Sequence, residues 1–223
     1  MRIKVFTVLV LILLFGCKTK NENPVKKGYD QELVDELVRM VEMDQVAAGI
    51  PSGKHKQLTK EEWKSFKDSV FSVTYKNASE IFKEHGFVGF DVVGEDGSRN
   101  FWLIVQHLDS KPEFQKTVLK KMKIEVENKN ANPENYAYLL DRVKLNMGEK
   151  QVYGTQVLYN WNVCQAYSKP LIDSINVNKR RNKIGMKPLE VYLNEMSKMH
   201  FEINSEVFSK ISITEPKLYK VED

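Results

Sequence analysis

Apolar residues recur at intervals of three and four along most of this chain, in blocks bounded by glycine, proline and short polar residues. That period constrains the fold more than any other feature, because side chains so spaced share one face of a helix and must be buried against other helices. From Asp30, an N-cap residue type, Leu33, Val34, Leu37, Val38 and Val41 form the first such face, with Gly49 as the stop. Continuing the stripe carries Asp44 and Gln45 inward, where polar groups need partners from protein or ligand.

The pattern repeats downstream. Thr59-Lys60-Glu61-Glu62 has the form of a capping box and opens a face of Trp63, Phe66, Val70, Val73, Ile81 and Phe82, broken at Asn77 and ended at His85-Gly86. His85 near the last carbonyls reads as structural. Four glycines between Gly86 and Gly97 predict a loop. Phe101 to Val105 is apolar on every side, and we assign it to a helix because its neighbours are helical; Gln106, His107 and Asp109 follow at its end. Ser110-Lys111-Pro112-Glu113 reads as another capping box leading into Phe114, Val118, Met122 and Val126. Asn132-Pro133 opens a helix with Tyr136, Leu139, Leu140, Val143 and Met147 inward and Gly148 as its stop; Asp141-Arg142 lies at its middle, either a solvated face or a structural ion pair.

The polar stretch Gln151-Val152-Tyr153-Gly154-Thr155-Gln156 supplies donors and acceptors of both senses around a permissive glycine. It suits a ligand-facing loop and equally a tight entry into the hairpin predicted over Val157–Tyr159 and Val163–Tyr167. A short helical piece from Asn176 to Ile184 carries Arg180 and Arg181, and Pro188 begins a helix with Leu189, Tyr192, Leu193, Met196 and Met199 on one side. The expected fold is mainly α: a single-domain bundle of about six to seven helices over residues 29–223, with a small β-hairpin insertion near residues 151–168 and the last twenty residues unplaced.

The N-terminus points to the cell envelope. Arg2 and Lys4 precede an apolar run from Val5 to Phe15, too short for the roughly 20 residues that span a bilayer and suited to a secretory signal. Leu14-Phe15-Gly16-Cys17 resembles the bacterial lipobox, which implies a signal over residues 1–16, acylation of Cys17, and a polar tether to residue 28. Multiple acyl chains would hold the protein stably to a lipid bilayer, facing the periplasm or the exterior. The formal charge of +4 includes both bases of that signal, so no field argues for nucleic acid. With Cys17 lipidated, Cys164 has no disulfide partner and reads as a small buried hydrophobe.

Asp44-Gln45, Asn77 with His85-Gly86, Val93-Gly94, Trp102, Gln106-His107-x-Asp109, Gln115, Tyr138 with Asp141-Arg142, the Tyr153-Gly154-Thr155-Gln156 core, Arg180-Arg181 and Gly185-x-x-Pro188-Leu189 follow one another along the chain. Together they resemble a bacterial domain family of unknown function, number 6624. Val88 departs from it, standing where related chains tend to carry proline. The resemblance implies a fold and a set of residues, with no activity, cofactor or substrate attached.

Two classes of function fit these residues. The first is a pocket for a small polar or anionic ligand formed by Gln106, His107, Asp109, Asp141, Tyr153, Thr155, Gln156, Arg180 and Arg181. In its enzymatic form this is a hydrolase with His107 as general base and Asp109 beside it to fix the tautomer, the arginines holding a carboxylate or phosphate. The second is a non-catalytic envelope module that presents a surface, including Trp161 at the hairpin tip, to another protein or to the cell wall. Asp44, His107, Asp109 and Asp141 lack the spacing of a zinc site, so no metal and no cofactor is expected.

Overall fold

The computed structural model describes residues 28–221. The signal, the lipobox Cys17 and most of the tether lie outside the described residues. Among them the chain forms eight α-helices and one antiparallel hairpin: α1 (Gln31–Ala48), α2 (Lys60–His85), α3 (Phe90–Gln106), α4 (Pro112–Glu127), α5 (Pro133–Asn146), β1 (Val157–Asn160), β2 (Gln165–Ser168), α6 (Val177–Asn182), α7 (Leu189–Ile203) and α8 (Ser205–Lys210). The mainly helical architecture with an inserted hairpin is as the apolar period predicts.

The ends of the helices follow local chemistry. Asp30 accepts from the Leu33 amide at 2.9 Å, Thr59 and Glu62 make a reciprocal capping box, and Asn132 accepts from the Glu134 and Asn135 amides. No such box forms at α4. Ser110 falls inside a turn closed by the Lys111 amide on the Leu108 carbonyl, Lys111 becomes the N-cap, and it makes no side-chain cap.

Helix α1 buries Leu33, Leu37, Met40, Asp44 and Ala47, a narrow seam with alternating steps of four and three. Val38 and Gln45 are rotated away from that seam and are exposed, which corrects their inward assignment. The buried seam of α2 runs through Val70, Thr74, Ala78 and Ile81, leaving Val73 exposed; Met147 and Met199 also face outward. The predicted loop over Gly86 to Gly97 ends at Gly89, and helix begins at Phe90. Its glycines serve other ends. Gly94 has φ +71° and kinks the helix, and a Cβ at Gly97 would meet the Val93 Cβ at 2.6 Å.

The first five helices enclose one core around α3, with Phe101, Ile104, Val105 and Leu108 at its centre. A second, smaller core lies between the hairpin and α7, from Ala166, Val177, Leu189 and Leu193. The C-terminal segment is pinned to it: the Tyr219 amide donates to Asn194 Oδ1 at 2.7 Å and its phenol donates to the Ala166 carbonyl at 2.9 Å. Cys164 is fully buried, and no described helix is long and apolar enough to cross a membrane.

Candidate functional site

The polar residues singled out from sequence divide into two assemblies. The first is built on the end of α1 and the end of α3. Asp44 is fully buried, and its Oδ2 lies 2.6 Å from His107 Nδ1, with the Gln45 amide donating to the same oxygen at 3.1 Å. A carboxylate only accepts, so this contact places the imidazole proton on Nδ1 and leaves Nε2 as the basic nitrogen. Asp44 Oδ1 is buried with no hydrogen-bond partner among the described residues. Burying it so is costly. His107, with 17% of its side chain exposed, lines a cleft of about 440 Å³ together with Asp68, Ser72, Asp109, Ser110 and Lys111.

Asp109 has a different task from the one expected. Its carboxylate receives both Nε and Nη2 of Arg142 at 2.8 and 3.0 Å, Asn146 at 2.9 Å and Gln115 at 3.4 Å, which ties the end of α3 to α4 and α5. Burial pushes its carboxyl up, but the Arg142 charge and these donors together hold it below the usual range. The residue that orients His107 is Asp44. Gln106 contributes its carbonyl, which accepts from Gln115 Nε2 at 3.2 Å. Gln115, fully buried, also donates to the Val105 carbonyl and so caps the end of α3.

The second assembly is the loop before the hairpin, closed over α5. Asp141 is fully buried and does not pair with Arg142. It accepts from the amides of Val152 (2.6 Å), Tyr153 (3.0 Å) and Thr155 (3.0 Å) and from the Thr155 hydroxyl (3.1 Å). Gln151 closes the loop from inside, donating to the carbonyls of Gln156 and Lys169 and accepting from the Gln156 amide. Gly154 sits between these donors at φ +77°, where a Cβ would stand 2.8 Å from Leu189 Cδ1. Arg180 donates to the carbonyls of Val152, Ile172 and Asp173. Arg181 is buried and donates Nε to the Lys187 carbonyl at 2.6 Å and Nη1 to the Tyr153 carbonyl at 2.8 Å. The stretch is thus an entry to the hairpin whose backbone is held by a carboxylate, and the single hollow expected from sequence is divided. His107 and Asp109 line one cleft, Arg181 lines another, and Asp141 lines neither.

At the hairpin tip Trp161 stacks on Phe208 with centroids 5.5 Å apart and meets His200 edge-on at 4.6 Å, so about half of it is covered by the C-terminal helices. No cluster of three or more metal-ligating side chains occurs among the described residues.

These features define a helical protein whose C-terminal hairpin module is latched to a five-helix core by one buried aspartate, with a histidine–aspartate pair opening on a separate cleft. The chain belongs to the family of unknown function DUF6624, which matches residues 31–201 and so takes in both assemblies. No curated protein and no solved structure matches it.

Proposed function

We propose that the protein is a lipid-anchored protein of the bacterial envelope whose cleft binds a small polar substrate, with His107 acting on it as general base. The observation that carries this reading is the 2.6 Å contact between a fully buried Asp44 and the Nδ1 of a histidine that lines an open cleft. Such a pair fixes the imidazole's tautomer and ring orientation and stabilises the imidazolium once a proton has been taken. Hydrolysis is the reaction that fits best. A cleft water gives its proton to His107 Nε2 as its oxygen adds to an acyl or phosphoryl centre, and the imidazolium returns that proton to the leaving group. The Ser110-Lys111 wall is the uncapped start of α4, where the helix dipole favours developing negative charge.

Turnover is to be sought on a panel of nitrophenyl esters and phosphoesters with wild type, His107→Ala and Asp44→Asn. Loss of about 10²- to 10⁴-fold in kcat for His107→Ala, with its thermal midpoint close to wild type, is the expected result. Turnover undiminished in that variant would contradict it. The anchor rests on Arg2, Lys4, the apolar run and Leu14-Phe15-Gly16-Cys17. Cys17→Ser should abolish palmitate labelling and release the protein from membranes; labelling and membrane retention both unchanged from wild type would contradict an anchor at Cys17.

A further inference from the structure

We propose that a second pocket, between α5, α6 and α7, binds a small zwitterion of amino-acid size, its carboxylate on Arg181 and its ammonium group on Glu134. The pocket is independent of the His107 cleft and encloses about 270 Å³, lined by Glu134, Tyr138, Arg181, Met186 and Tyr192, with Lys187 and Glu195 at its rim.

Its charges are the argument. Arg181 is 1% exposed yet forms no ion pair within 4 Å among the described residues. Its guanidinium is held by two carbonyls through Nε and Nη1 and by the Tyr192 ring 5.1 Å away, and Nη2 is the nitrogen without an acceptor. A buried guanidinium keeps its charge, and one without a counter-ion is costly to maintain. Burial lowers its pKa, and the Asp141 and Glu134 carboxylates, neither within ion-pair distance, work against that.

Glu134 is the complementary group. It is exposed and lines the same pocket; its side chain makes no hydrogen bond or ion pair among the described residues, and its charge acts on both Arg181 and Lys187 without contact. A Cβ at Gly185, beside the end of α6, would stand 3.9 Å from Glu134 Oε1. At the rim, Lys187 and Glu195 pair with each other and neutralise one another. What is left over is one buried cation and one free carboxylate lining a single space the size of an amino acid, with Met186 and two tyrosine rings for its apolar part. A carboxylate accepts from a planar guanidinium edge, and an ammonium group donates to Glu134. Burial and the adjoining Tyr138 push the Tyr192 phenol strongly up, so it stays protonated, donating to the Thr155 carbonyl as part of the wall.

The test is calorimetric titration of the full protein with alanine, acetate, methylammonium and inorganic phosphate, in wild type and Glu134→Gln. The proposal expects alanine to bind at least about tenfold more tightly than acetate or methylammonium, and phosphate not to bind; Glu134→Gln should reduce alanine to the level of acetate. Glu134 supports no packing, so that variant should fold, and a wild-type far-UV spectrum and midpoint would establish it. Acetate equal to alanine, phosphate bound more tightly than either, no heat from any probe, or alanine binding unchanged in Glu134→Gln would each overturn the assignment. His107 lies in the other cleft, so failure here leaves the general-base reading as it stands.

Discussion

Asp44 and Asp141 are both fully buried carboxylates projecting from helices, yet one is saturated and the other is not. Asp141 receives three backbone amides and a hydroxyl through both of its oxygens; Asp44 receives an imidazole and one side-chain amide through Oδ2, while Oδ1 has no partner. Buried polar groups in folded proteins are nearly always paired, so saturation marks Asp141 as structural and the deficit singles out Asp44. The same contrast divides their neighbours. The 151–156 loop spends its donors on Asp141 and on the hairpin it enters, while His107 Nε2 and the cleft beyond it are left for something else.

Substitutions at these residues should separate the structural carboxylate from the functional one. The largest effect is expected from Asp141→Ala, which leaves several buried amides unpaired: about 3–5 kcal/mol in urea unfolding, lowering the midpoint by roughly 10 °C. A loss under about 1 kcal/mol would mean the loop does not depend on its carboxylate. Gly154→Ala should cost about 2 kcal/mol, because the positive φ and the Leu189 contact both oppose a side chain; an unchanged midpoint would contradict the latch geometry.

Arg142→Ala should cost about 1 kcal/mol at neutral pH, reduced by the partial exposure of the pair. Because the folded Asp109 carboxyl is held below its ordinary 3.8, the stability it contributes is present above that pH and is lost as pH falls through the folded value. Arg142→Ala should flatten this part of the acid-unfolding curve. The smallest effect belongs to His200, stacked on Tyr159 and edge-on to Phe208 with Nε2 unpartnered; burial lowers its pKa below the ordinary 6.5. Native stability should be full above pH 6.5 and decline as pH falls toward the folded value, by under about 1 kcal/mol, and His200→Gln should remove that slope.

The helices were legible because burial imposes a period on them, and the inward position of Asp44 was legible for the same reason. Its partner was not: His107 lies 63 residues away, and the nearer carboxylate at Asp109 was the natural choice until packing brought α1 against α3. Gln115 shows the same limit, since its place on the end of α3 depends on how α4 folds back. The glycines of α3 misled because close packing and a kink use the residue that a loop uses. In the 151–156 stretch the composition suits either reading, and what decides between them is a carboxylate in α5 that the sequence left open between a solvated face, an ion pair and the pocket.

General-base action by His107 depends on which of its imidazole nitrogens carries the proton, and ¹⁵N chemical shifts of the labelled ring in the neutral form measure that directly. Protonated Nδ1 and bare Nε2 are expected in wild type, with that preference weakened in Asp44→Asn. A ring protonated on Nε2, or a tautomer indifferent to Asp44, would contradict that role.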